Sequence, residues 1–173
     1  MMLRCTGKLL SLLRLRPAVA EASPADWYAN LLWVDGRKCL LLTHARTVFS
    51  VFVSDVAAAE LRPPGLFVVT AIAAALRSEA LPRDALGELD EREVTVARTL
   101  DRRVLGTMND HAVMAQHVVA AAGGLSHCDV ESLNHQLHRT INSLTGHTPP
   151  IELITRHSKI ELCRVQVEPD GSI

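Results

Sequence analysis

An Asp-Gly pair between two apolar segments is the feature that most constrains how this chain can fold. Asp35 and Gly36 separate the segment WYANLLWV from the segment RKCLLLT. A two-residue type I′ turn needs positive φ at both central positions, and Asp-Gly is one of the pairs that best meets this need. The pair therefore predicts a β-hairpin in which Val34 faces Arg37 and Tyr28 faces Thr43.

Side-chain alternation assigns the residues of this hairpin to two faces. One face is almost purely apolar and carries Trp27, Ala29, Leu31, Trp33, Leu40 and Leu42. The other face is mixed and carries Tyr28, Asn30, Leu32, Cys39, Leu41 and Thr43. Both tryptophans and the single tyrosine lie in the hairpin of a chain with 3% aromatic residues. We therefore expect the apolar face, with the Trp33 ring, to form the core.

The remaining periodicity predicts further strands and helices around the hairpin. Residues 47–53 are mostly β-branched or aromatic and indicate a third strand of the same meander. Further strands are predicted over 2–6, 93–99 and 160–167. Helices are predicted over 7–14, 65–80, 102–122, from 130 onward and over 149–156. Asp101 is predicted to cap the helix over 102–122, and Asp129 the helix that begins at 130. No repeat or low-complexity linker interrupts the chain. The sequence predicts a single α+β domain over residues 1–173, an antiparallel meander sheet with helices packed against it.

The mixed face of the hairpin must be covered. It is too apolar for a solvated surface and too polar for a dry core, whereas a half-buried antiparallel sheet usually has a more polar outer face. The helices predicted over 65–80, over 102–122 and from 130 onward are more than one side of a small sheet needs. We expect at least one of them to cross to the mixed face.

Composition limits the classes of function. Hydrophobic residues make up 48% of the chain and charged residues 21%, with a net charge of −1, so nucleic acid is not indicated as a partner. The apolar stretches are shorter than the roughly 20 residues that span a bilayer, and LLSLL at 9–13 is shorter than the core of a signal peptide. Four widely spaced cysteines without a CxxC pair predict reduced thiols. We therefore predict a cytoplasmic protein.

Motifs for common catalytic chemistry are absent. The sequence contains no GxGxxG, Walker A, GxSxG or HExxH motif, and no cofactor is predicted. His135 and His138 share a face of one predicted helix because they are three residues apart. Two ring nitrogens do not make a metal site, and no carboxylate or cysteine is spaced to complete one. Solvated histidines are the favoured interpretation, so the sequence predicts no metal site.

Candidate ligand-binding residues fall into two groups. In the first group, Arg4 and Thr6 would converge with Arg46 and Thr47 if the first strand paired beside the third. The basic and hydroxyl side chains of that group could then bind a ligand.

The second group lies on the long helix. Arg103 is in its first turn, where the helix dipole disfavours a cation unless an anion or a neighbouring acid holds it. Asn109 is predicted to be half-buried beside the apolar stripe, with Asp110 on the outer side. We expect Asn30 and Thr43 to meet Asn109 or Arg103 in a semi-enclosed polar pocket.

Several segments together resemble a bacterial family, the domain of unknown function 6933. They are RCT at 4–6 with KLL at 8–10, WYANL at 27–31, RKCLLLT at 37–43 with Thr47 and Ser50, VLGTMND at 104–110, and PIE at 150–152. The resemblance implies one domain and a bacterial cytosolic protein, and it implies no activity, cofactor or catalytic residue. One departure is His44, where the family is expected to carry an acidic or amide residue.

Two classes of function remain open from the sequence. The first is a non-catalytic interaction or regulatory protein with a protein partner, favoured by the lack of catalytic motifs. The second is an enzyme or ligand-binding protein that acts on a phosphorylated or nucleotide-like substrate. A concave pocket that holds both groups of candidate residues would favour the second class, and a flat apolar patch on the mixed hairpin face would favour the first.

Overall fold

A computed structural model describes residues 1–156 and contains one five-stranded mixed sheet. Its strands are β1 (Met2–Cys5), β2 (Trp27–Val34), β3 (Arg37–His44), β4 (Ser50–Val53) and β5 (Thr95–Arg98). The order across the sheet is β4-β3-β2-β1-β5. The strand predicted over 160–167 lies outside the described residues.

The sheet is not purely antiparallel, which corrects the predicted meander. Strands β2, β3 and β4 do form an antiparallel meander, but β1 lies parallel to both of its neighbours, β2 and β5. A parallel pair needs a crossover connection of a dozen or more residues. The segment between β1 and β2 is long enough for this crossover and contains a helix.

The predicted hairpin register is confirmed. Val34 pairs with Arg37, and Tyr28 pairs with Thr43. Asp35 has φ of 50° and Gly36 has φ of 71°, the left-handed conformation that a type I′ turn requires at both positions.

Four helices pack against this sheet in the described part of the chain, together with a helical segment at 150–156. They are α1 (Gly7–Leu13), α2 (Pro64–Ser78), α3 (Arg102–Ala121) and α4 (Val130–Arg139). Asp101 caps α3 by accepting from the Arg103 N–H, and Asp129 caps α4 by accepting from two backbone N–H groups, so both predicted caps are confirmed. None of these helices has the length and apolar character needed to cross a membrane.

The helices cover both faces of the sheet. Trp27, Leu31 and Leu40 form a first core with apolar side chains of α1 and α2. Tyr28 and Leu41, from the mixed face, form a second core with apolar side chains of α3 and α4. The expectation that a helix crosses to the mixed face is therefore confirmed, and the chain covers that face itself.

Trp33 is the exception to the predicted core. Alternation places it on the face of Trp27 and Leu31, but its exposed fraction is 57%, whereas Trp27 is fully buried. The Lys38 ammonium lies 5.2 Å from the centre of the Trp33 ring. Trp33 is the next-to-last residue of β2, at the turn end of the hairpin, where the described residues leave its ring largely exposed.

Candidate functional site

Arg4 is a structural residue. Strand β1 pairs with β2 and β5 and not with β4, so the condition for bringing Arg4 and Thr6 beside Arg46 and Thr47 is not met. The Arg4 side chain is 1% exposed and forms an ion pair with Asp26. Its remaining N–H groups donate to backbone carbonyls, including that of Arg98 at 3.1 Å. Because the Arg4 guanidinium is buried and already bonded to Asp26 and to backbone carbonyls, it is not available to a ligand.

The predicted hydroxyl and amide groups also bind within the protein. Thr6 Oγ1 donates to Asn30 Oδ1 at 3.0 Å, and Thr47 Oγ1 lies 3.0 Å from His44 Nδ1. Thr43 Oγ1 lies 2.8 Å from Ser50 Oγ.

The pocket expected between these groups and the long helix does not form within the described residues. No hydrogen bond there links Asn30 or Thr43 to Arg103 or Asn109. Asn109 is exposed rather than half-buried, since the turn of α3 carries it to the outer surface.

Two of the predicted basic residues do line one cavity. Arg46 approaches from the loop between β3 and β4, and Arg103 approaches from the first turn of α3. The cavity has a volume of about 390 Å³ and is also lined by Tyr28, Asp101 and Leu144. Tyr28 Oη accepts from the Asp101 N–H at 3.1 Å, so the hydroxyl hydrogen of Tyr28 is free to donate.

The cavity has an excess of positive charge. The Arg103 guanidinium donates to both carboxylate oxygens of Asp101, at 3.2 and 2.9 Å, and these hydrogen bonds lower the pKa of Asp101. The Arg46 guanidinium has no hydrogen-bond or ion-pair partner among residues 1–156. The cavity therefore contains two guanidinium groups and one carboxylate. Arg103 pairs with that carboxylate, and the guanidinium without a partner is that of Arg46.

A second depression adjoins the cavity. It has a volume of about 510 Å³ and shares Arg103 and Leu144 with the first. Asp110 and Thr107 line it, whereas Asn109 lines neither cavity. Of the nine candidate residues, Arg46, Arg103 and Asp110 are thus brought to one continuous concave surface.

A histidine–glutamate cluster lies elsewhere and was not predicted. Glu79, which follows the last residue of α2, has its Oε1 atom 2.7 Å from His138 Nδ1 and also contacts His135 Nδ1. Arg139 donates to both of its carboxylate oxygens, at 2.7 and 2.8 Å. Burial alone would raise the pKa of Glu79, but hydrogen bonds from Arg139, His138 and His135 outweigh it and lower that pKa to about 2.

The interpretation of both histidines as solvated is wrong for His138, which is fully buried. Its ring stacks on Phe49 with 3.9 Å between ring centres, and its Nε2 lies 2.9 Å from the Ser50 carbonyl oxygen. The sequence does contain a signal for this burial, because residue 138 lies at the edge of the apolar stripe of α4. No spacing rule could have found Glu79, since it lies 56 residues from His135 along the chain.

The buried polar side chains continue from His138 to a third histidine. Ser50 Oγ lies 2.8 Å from His111 Nδ1 on α3, and burial lowers the pKa of His111 to about 4. His111 Nε2 is buried and has no hydrogen-bond partner among residues 1–156. A chain of polar contacts therefore runs from Glu79 through His138 and Ser50 to His111, between β4 and the two helices that cover it.

Together, the fold and the cavity describe a single α+β domain with helices on both faces of a mixed sheet and a concave surface on which the Arg46 guanidinium has no partner among the described residues. The chain belongs to the family whose model is described as Domain of unknown function (DUF6933), which it matches over residues 2–153. The resemblance seen in the sequence is thereby confirmed. No curated protein and no solved structure matches the chain.

Proposed function

We propose that this chain is a cytoplasmic bacterial protein that binds a small phosphorylated or nucleotide-like ligand. The observation that carries the proposal is the cavity that Arg46 and Arg103 line from two separate elements. The alternative, an interaction protein with a flat apolar docking patch, has less support because α3 and α4 cover the mixed hairpin face. The cytoplasmic location is supported by Cys5, Cys39 and Cys128, which are free thiols.

The physical basis is charge-assisted hydrogen bonding. A guanidinium binds a phosphate with two parallel N–H donors, and such bonds are roughly twice as strong as neutral ones. Asp101 forms an ion pair with the Arg103 guanidinium, and Arg46 forms no ion pair among the described residues. The Tyr28 hydroxyl supplies a further donor, and the volume of about 390 Å³ lies within the range of small-molecule sites.

Binding of pyrophosphate and of nucleoside mono-, di- and triphosphates, measured by isothermal titration calorimetry, tests the proposal. Arg46→Ala removes the unpaired guanidinium, so the affinity for the best phosphorylated ligand should fall at least about tenfold. Arg102→Ala is the matched control, because Arg102 is an exposed arginine in the same helical turn as Arg103 and does not line the cavity. The affinity of the Arg102→Ala variant for the same ligand should stay within about twofold of that of the original chain.

Two results would contradict this function. One is the absence of saturable binding for every phosphorylated compound. The other is an equal loss of affinity in Arg46→Ala and Arg102→Ala, which would mean that net charge and not the cavity attracts the ligand.

A further inference from the structure

We propose that Glu79, His135 and His138 form a binding site for a divalent transition metal ion of the zinc type. The site joins the C-terminal end of α2 to α4 and shares no residue with the cavity of Arg46 and Arg103. It is therefore independent of the proposed ligand-binding function.

The donor set is the first reason. One carboxylate oxygen and two ring nitrogens lie within 4.8 Å of one another. Imidazole nitrogen and carboxylate oxygen are both zinc ligands, and three protein ligands with an open fourth position are typical of non-structural zinc sites. The His135 side chain is 34% exposed, so water can reach the fourth position from that side.

The hydrogen bonding of His138 is the second reason. The Ser50 carbonyl can only accept, so the hydrogen of a neutral His138 ring must be on Nε2. Nδ1 then presents a lone pair to Glu79 Oε1 at a distance of 2.7 Å. Two acceptors at this distance repel each other unless a proton or a metal ion lies between them.

The outer hydrogen bonds are the third reason. Histidines that bind a metal usually donate their other N–H to a backbone carbonyl or a carboxylate, which orients the ring. The contact of His138 Nε2 with the Ser50 carbonyl has this arrangement. In His135, the other ring nitrogen lies 3.9 Å from Glu131 Oε1, which is too far for a hydrogen bond, so this argument rests on His138.

Arg139 is the competing cation for Glu79. Its side chain is 53% exposed. Its Nη1 group donates at 2.7 Å to Oε1, the oxygen that the two histidines also contact, and its Nη2 group donates at 2.8 Å to Oε2. Ligands of a tetrahedral zinc lie about 2.0–2.1 Å from the ion and hence roughly 3.3 Å from one another. Glu79 Oε1 must therefore move away from the two nitrogens by roughly 0.6–0.8 Å. The metal ion must also displace the Arg139 Nη1 group from Oε1, while the Nη2 group keeps its hydrogen bond to Oε2.

Zinc titration of the full chain, after removal of metal with a chelator, tests the site. We expect one Zn²⁺ per chain with micromolar or tighter affinity by calorimetry, and a higher melting temperature in its presence. His135→Gln and Glu79→Gln should each weaken binding at least tenfold. His117→Gln is the matched control, because His117 is an exposed helical histidine outside the cluster, and its affinity should not change.

Cobalt supplies a readout that does not depend on variants. Co²⁺ bound by two histidines and a carboxylate in tetrahedral geometry should give intense visible absorption bands, whereas the weak spectrum of octahedral Co²⁺ would overturn the proposal. The absence of saturable Zn²⁺ binding would overturn it too, as would unchanged affinity in both His135→Gln and Glu79→Gln. In those cases protons and Arg139 alone hold the cluster together.

Discussion

The two tryptophans of β2 show how strongly the position of a residue within one strand affects its burial. Both lie on the same face by alternation, yet Trp27 is fully buried and Trp33 is 57% exposed. Alternation reports the direction of a side chain, whereas burial depends on whether another element lies above it. Aromatic character alone therefore does not identify a core residue at the end of a hairpin.

Replacing each tryptophan with alanine tests this difference. Trp27→Ala should lower the free energy of unfolding by about 3–5 kcal/mol, since it leaves a large cavity in the first core. Trp33→Ala should lower it by less than about 1 kcal/mol, because only partial burial and the contact with Lys38 are lost. Urea denaturation followed by circular dichroism gives both values. Similar losses in the two variants would mean that Trp33 is covered in solution.

At the scale of elements, the conformation of the hairpin turn sets the register of β2 and β3. Gly36→Val should destabilise the protein by at least about 1–2 kcal/mol, because Gly36 has φ of 71° and a β-branched residue is strained there. Apart from the two chain neighbours of Gly36, no atom of the described residues would lie within 4 Å of an added Cβ, so backbone strain and not a steric clash is the cause. Chemical denaturation measures the effect.

Gly106→Ala is the control for this prediction. Gly106 lies inside α3, and apart from the backbone of its own helix an added methyl group would meet no atom of the described residues within 4 Å. Alanine is the better helix former, so this variant should gain roughly 0.5–1 kcal/mol. If Gly36→Val is as stable as the original chain, the turn adapts to the substitution and does not set the register.

At the scale of the whole molecule, buried neutral histidines make folding sensitive to acid. Burial lowers the pKa of His44 to about 4, the nearby Arg46 charge acts in the same direction, and burial also lowers the pKa of His111 to about 4. Between pH 6.5 and about 4 the unfolded chain therefore binds more protons than the folded one. Stability should fall as the pH decreases through this window, by up to about 3 kcal/mol for each histidine.

Urea midpoints measured between pH 7.5 and pH 4.5 test the acid response. His44→Gln removes one of these buried histidines, so the stability of this variant should depend less steeply on pH than that of the original chain. His117→Gln, which changes an exposed histidine, should keep the original dependence. Equal pH dependence in His44→Gln and the original chain would show that His44 is not held neutral by the fold.

The sequence by itself determined the features of this protein that depend on residues close to one another along the chain. The turn at Asp35 and Gly36, the register of its strands and the caps at Asp101 and Asp129 follow from local backbone sterics and from periodicity. The family could also be recognised, because its characteristic segments are continuous in the chain.

Only the tertiary structure decided which distant segments meet. Local patterns contain no information on the order of strands, so the parallel position of β1 was not predicted, nor was the separation of Arg4 from Arg46. The same limit explains why Arg46 and Arg103 were assigned to different groups and why Glu79 was not linked to His135 and His138. These residues meet because two helices cross to the far face of the sheet, and the free energy that holds them there comes from burying the apolar side chains around them.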